Sequence, residues 1–163
     1  MKYIDTLLDT ITFIAKAIMG SLLAIMLLVS IVEVIRRYFF NASFPWSEEI
    51  VRFMLVWVSF LGGAVAYRRG GLVFFGLLLN KLSPKMQTIL NLLTNTSVLF
   101  FCTYMLQRAW TYTFTSSVSK QIAIGLGIPM SIPYFGISVG LILFILYSLD
   151  NYRRLLPKML ERG

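Results

Sequence analysis

The sequence predicts an all-α integral membrane protein. It has four transmembrane helices, a short interfacial helix between the second and third, and both termini on the cytoplasmic side. Three observations carry this prediction. Hydrophobic residues make up 58% of the 163-residue chain and charged residues only 13%. A soluble domain carries about 25% charged residues, and a disordered one needs low hydrophobicity. The apolar residues gather in four runs, and ~20 helical residues suffice to cross a ~30 Å hydrocarbon core. The cations stand beside these runs, so the formal charge of +8 reads as membrane-surface anchoring and topology rather than nucleic-acid binding.

The first run covers residues 11–35 and is interrupted by Lys16 and Glu33. It does not read as a cleaved signal peptide. Asp5 and Asp9 spoil a basic leader, and no small-residue cleavage site follows. The second span is 48–67. Residues 72–79 are apolar, but eight residues reach only about 12 Å at ~1.5 Å per residue. That segment is therefore expected to lie at the interface. The third and fourth spans are 86–106 and 129–149, the latter led in by apolar residues 122–128. The whole of 1–163 reads as a single membrane domain, without internal repeats.

Four spans bring the termini to one side. One side then holds Lys2, Lys16, Arg68, Arg69, Lys81, Lys85, Arg153, Arg154, Lys158 and Arg162. The other holds Arg36, Arg37, Arg52, Arg108 and Lys120, a split of ten against five. The richer side is expected to be cytoplasmic, although the Arg36–Arg37 pair sits awkwardly on the outer side.

Composition restricts the chemistry. The chain has no histidine, which removes Ser-His-Asp and Cys-His arrangements and most zinc sites. Cys102 is the only cysteine and reads as a small apolar residue. No catalytic residue, cofactor or metal ligand is predicted.

The densest polar stretch is Phe44-Pro45-Trp46-Ser47-Glu48-Glu49-Ile50-Val51-Arg52. Pro45 suits a helix start, and Glu48 and Glu49 suit the positive end of its dipole. Glu48 and Glu49 precede Arg52 by four and three residues, within reach of a helical ion pair. Trp46 suits the interfacial aromatic belt. This is either a well-capped helix or, with Trp46, Glu48, Glu49 and Arg52, a docking site for a partner subunit. Ser59, Gly62, Gly63 and Ala66 form two small-xxx-small pairs, and Gly136 and Gly140 form another. Such pairs permit close helix packing, within the chain or on a partner. Asn91 and Asn95 lie on one polar face that should meet protein rather than lipid. Glu33 is expected to pair with Arg36 and Arg37. Arg68, Arg69, Lys81 and Lys85 flank the interfacial segment and suit anionic phospholipid headgroups.

In this order the motifs resemble a known family. Phe44 to Glu49 is followed by Arg52, Trp57, Phe60-Leu61-Gly62-Gly63-Ala64 and Ala66-Tyr67-Arg68-Arg69-Gly70-Gly71. Ile128-Pro129-Met130, Pro133-Tyr134 and Gly140 come later. Together they resemble the small, DctQ-like membrane subunit of tripartite ATP-independent periplasmic (TRAP) transporters. One departure stands out. Family members often carry a His and then polar or acidic residues after Arg-Arg-Gly, where this chain has Leu72-Val73-Phe74-Phe75-Gly76.

The resemblance implies a scaffold subunit in the inner membrane. It would brace a separate large membrane subunit and help dock a periplasmic substrate-binding protein. The assembly would import an organic acid, such as a C4-dicarboxylate, sialic acid or a similar solute, driven by a gradient that is usually sodium. Two other classes compete. A stand-alone four-helix transporter acting as a homodimer would need a coupling acid, for which Glu33 is the only candidate. A small membrane enzyme has no catalytic constellation to support it.

Overall fold

The computed structural model describes residues 2–70 and 83–160. The expected interfacial segment at 72–79, and Lys81, lie outside them. The helices are α1 (Lys2–Phe40), α2 (Ser47–Arg68), α3 (Pro84–Phe114), a single turn α4 (Ser116–Ser119) and α5 (Ser131–Leu160). Four of them are long and apolar enough to cross a membrane.

Helix α2 coincides with the apolar run 48–67 to within one residue at each end, while the other three helices extend past their apolar runs. The first apolar run covers 11–35, yet α1 is helical for 39 residues. At ~1.5 Å per residue that is about 58 Å, nearly twice a ~30 Å hydrocarbon core. Helix α1 must therefore tilt strongly or project from the bilayer. Likewise α3 continues eight residues past 106 and α5 eleven past 149. An apolar run ends where charges and amides begin, but helical backbone hydrogen bonding continues through them in all three helices.

The turns have local causes. Asn41 adopts φ +47° just after α1, a left-handed conformation that asparagine tolerates better than most residues. Helix α3 opens with Pro84 in its first turn, where the missing N–H leaves no bond unmade.

Helix α5 lies between α2 and α3, and α1 packs on α2. The core joins Leu8 and Ala15 of α1, Leu61, Ala64 and Val65 of α2, and Leu143 and Tyr147 of α5. Glycines set the α2–α5 spacing. A Cβ on Gly140 would come within 2.5 Å of Phe60 Cβ, and one on Gly136 within 2.7 Å of the Trp57 ring. Gly63 faces Phe144 of α5, and Gly62 faces Met19 of α1. Gly62, Gly63, Gly136 and Gly140 therefore serve packing within the chain. Burial is uneven: 39% of the most apolar window of α5 is buried, against 11% for α3 and none for α1. Helices α1 and α3 thus present broad apolar faces outward, including Leu27, Val34 and Phe39 of α1 and Leu93, Phe100 and Phe101 of α3.

Candidate functional site

Two polar latches close opposite ends of the bundle, with the uncovered apolar faces between them. The first latch lies where α2 and α5 begin. Residues 121–130 fold back on themselves, with Ala123 N–H donating to Ile128 O at 2.9 Å and Met130 N–H to Gln121 O at 2.9 Å. Gly127 turns this loop at φ +68°. The Glu49 carboxylate accepts the Gly125 and Leu126 N–H groups at 2.9 and 3.0 Å. The loop meets the segment before α2 so closely that a Cβ on Gly125 would stand 2.5 Å from Pro45 O. Trp57 Nε1 donates to Ile132 O at 3.2 Å, adding a second tie between α2 and α5.

Beside this latch, Glu33 accepts the Phe44 N–H at 3.1 Å. The Arg36 guanidinium lies 3.7 Å from the Phe44 ring centroid, a cation–π contact. The expected Glu33 ion pair with Arg36 and Arg37 does not form, nor does Glu48 or Glu49 pair with Arg52. Both expectations came from helical spacing alone. Glu33 and Glu49 instead accept backbone N–H groups that have no helical partner, and charge-assisted bonds to such donors are strong. Occupied in this way, Glu33 is poorly placed to serve as a coupling acid.

The second latch joins the start of α1 to the ends of α2 and α5. Arg68 reaches α1, donating to Leu8 O at 2.6 Å, to Thr12 Oγ1 and to Asp9 Oδ1 at 2.7 Å. Thr12 Oγ1 also bonds the Tyr147 hydroxyl at 2.9 Å. Asp5 pairs with Arg153, and with Arg154 at 3.4 Å. Asp150, only 5% exposed at its side chain, pairs with Arg153 at 2.8 Å and with Arg154 at 2.9 Å. One turn inward, Asn95 forms a buried node. Its Oδ1 accepts from Tyr67 Oη, from Ser148 Oγ at 3.0 Å and from Asn151 Nδ2 at 3.3 Å. Its Nδ2 donates to Ser148 O at 3.1 Å.

The predicted contact residues thus divide. Asn95, Gly136 and Gly140 are covered by this chain's own helices, which withdraws them from any direct outer contact. Gly62, Gly63, Ala66, Asn91 and Trp46 are half-buried, Glu49 is engaged by the loop, and Glu48, Arg52 and Ser59 are exposed. Arg68 turns inward with 11% side-chain exposure and is held by α1, so it is not a free headgroup ligand. Arg69 is exposed.

Sequence reading missed the role of Asp5, Asp9, Thr12, Tyr147 and Asp150. A partial signal existed. Asp150 precedes Arg153 and Arg154 by three and four residues, and Asp5, Asp9 and Thr12 recur at helical spacing.

Comparison with known proteins agrees with this architecture. Residues 10–158 match the family described as tripartite ATP-independent periplasmic transporters, DctQ component. A Haemophilus influenzae chain described as a TRAP transporter small permease protein is 32% identical over 115 residues, covering 71% of this chain and 70% of that one. The sialic acid TRAP transporter permease protein SiaT of Haemophilus influenzae strain 86-028NP is 27% identical over 125 residues, which are 77% of this chain but only 19% of SiaT. Four membrane-spanning helices and a family match over nearly the whole chain lead to one conclusion: this chain belongs to the DctQ family, the small permease component of TRAP transporters.

Proposed function

We propose that this subunit is a rigid membrane scaffold that braces a separate large transport subunit. Together with a periplasmic binding protein, the pair imports an organic acid. The observation that carries the reading is a contrast within the bundle. Polar groups at both ends are tied to one another by the two latches, while the apolar faces of α1 and α3 are left uncovered. A substrate-carrying domain would instead present polar or ionisable groups toward a cavity near mid-membrane. Contiguous apolar surface of this kind suits lipid and a second membrane protein.

The Haemophilus relative named a sialic acid TRAP permease is far longer than this chain. That relation supports a carboxylated solute as substrate and a larger protein as partner. The remaining assignments extend the same reading: inner-membrane location, termini in the cytoplasm and sodium coupling. Exposed Glu48, Arg52 and Ser59, with half-buried Trp46, are the positions of the α2 group left to meet the partner. The test is recovery of the tagged chain from native membranes in mild detergent, with uptake measured in parallel. A stoichiometric, larger polytopic partner is expected, with sodium-dependent uptake of an organic acid that is lost when either chain is deleted. A stable homodimer with full transport activity on its own would overturn the proposal.

A further inference from the structure

The second latch walls an open cleft of about 920 Å³. Five cations line it, Lys16, Arg68, Arg69, Arg153 and Arg154, and two acids, Asp5 and Asp9. Asp150 lies buried against Arg153 and Arg154. Among the described residues, and even counting Asp150, three carboxylates leave two of the five positive charges uncompensated.

The cations are not equivalent. Arg68 is locked onto α1, and Arg153 is held between Asp5 and Asp150. Arg154 shares Asp150 but keeps 54% of its side chain exposed. Among the described residues, Lys16 and Arg69 have no carboxylate within ion-pair distance. A smaller adjoining cleft of about 310 Å³ shares Arg68, Arg69 and Arg154 with the first, and adds Asn91, Thr94 and Asn151. Fixed and freer cations therefore line the same cleft, with neutral hydroxyl and amide groups alongside in the adjoining one.

This arrangement fits a compact anion carrying hydroxyl groups. Arginine presents a planar fork that matches phosphate oxygens, and lysine adds a point charge. Two uncompensated charges suit one phosphate group. The neutral neighbours suit an alcohol attached to it. A cleft at the end of apolar helices also lies where headgroups of an anionic leaflet are concentrated.

We propose that this cleft binds one phosphate-bearing anion, with Arg69, Arg154 and Lys16 as its contacts. The group is carried either by a membrane phospholipid or by a soluble phosphate. This site does not depend on the scaffold reading.

The test uses the full chain with whatever subunit copurifies, stripped of lipid in detergent. Phosphatidylglycerol, phosphatidylcholine and inorganic phosphate are added separately. Thermal melting and native mass spectrometry are read for each. Phosphatidylglycerol is expected to raise the Tm and to be retained as a single adduct, while phosphatidylcholine does neither. In K16Q/R69Q, phosphatidylglycerol affinity should fall at least tenfold with the lipid-free Tm unchanged, since neither side chain carries a bond in the latch. If inorganic phosphate reproduces the effect at similar concentration, the site takes soluble phosphate and the proposal stands. Equal binding of the two lipids with no response to phosphate, no binding of any probe, or unchanged affinity in K16Q/R69Q would overturn it.

Discussion

Replacing Asn95 should strongly destabilise the bundle. Asn95 is 1% exposed and joins α3 to both α2 and α5. Asn95→Ala removes four side-chain hydrogen bonds at once. Bonds of this kind between membrane helices contribute about 0.6 kcal/mol each on average and up to about 1.7. Four of them give roughly 2.4 kcal/mol. The lost volume and the donors left on Tyr67, Ser148 and Asn151 raise the expectation to about 3–4 kcal/mol. The assay is reversible unfolding in mixed micelles, with helicity followed by circular dichroism as denaturing detergent increases. Asn95→Leu is the discriminating partner variant. It restores most of the volume but leaves the same donors without their acceptor, so it should lose at least about 2 kcal/mol. An Asn95→Leu protein within about 0.5 kcal/mol of the parent would refute the reasoning, because packing alone would then hold the helices together.

Three further outcomes follow from the same geometry. Glu49→Ala should cost about 1–3 kcal/mol, since two charge-assisted bonds are lost at a half-exposed position, whereas Glu48→Ala should fall within about 0.5 kcal/mol of the parent; comparative melting of the two separates latch from surface. Gly140→Val should destabilise by at least about 1–3 kcal/mol, because its Cβ would meet Phe60 Cβ at 2.5 Å, while Gly20→Ala, with nothing within 4 Å, should be neutral or stabilising by up to about 1 kcal/mol. Arg68→Gln should release the start of α1, and hydrogen exchange of the Leu8–Thr12 turn should then speed by roughly tenfold or more, as expected for loss of a bond worth about 1.5 kcal/mol or more.

Much of the architecture was legible because a bilayer imposes one dominant pattern. The apolar run 48–67 coincides with a helix, since Glu48 and Arg68 mark both edges of that run. Residues 11–35 fell short of α1 because charge ends a hydropathy window without ending a helix. Small-residue spacing identified Gly136 and Gly140 as a packing face, but spacing does not say which helix covers it. The acids were harder. Local spacing offered Arg36, Arg37 and Arg52 as partners for Glu33, Glu48 and Glu49. The structure gives Glu33 and Glu49 backbone amides instead, in Glu49's case amides 76 residues away in sequence. Arg68 misled for a similar reason. A cation at a span's edge reads as a surface charge until the helix that shelters it is placed.

The position of α5 has a consequence for how the protein is made. It is the last of the four helices to emerge during synthesis, yet it lies between α2 and α3. Until it arrives, Asn95 lacks Ser148 and Asn151, Trp57 lacks the Ile132 carbonyl, and Asp5 lacks an arginine located 148 residues downstream. The early helices must therefore enter the lipid as a provisional set and leave a lane open between α2 and α3. Closure of both ends then becomes one late event in biogenesis. A nascent chain stalled before α5 would hold several polar groups in the bilayer without their final partners, a state that membrane proteases are suited to recognise.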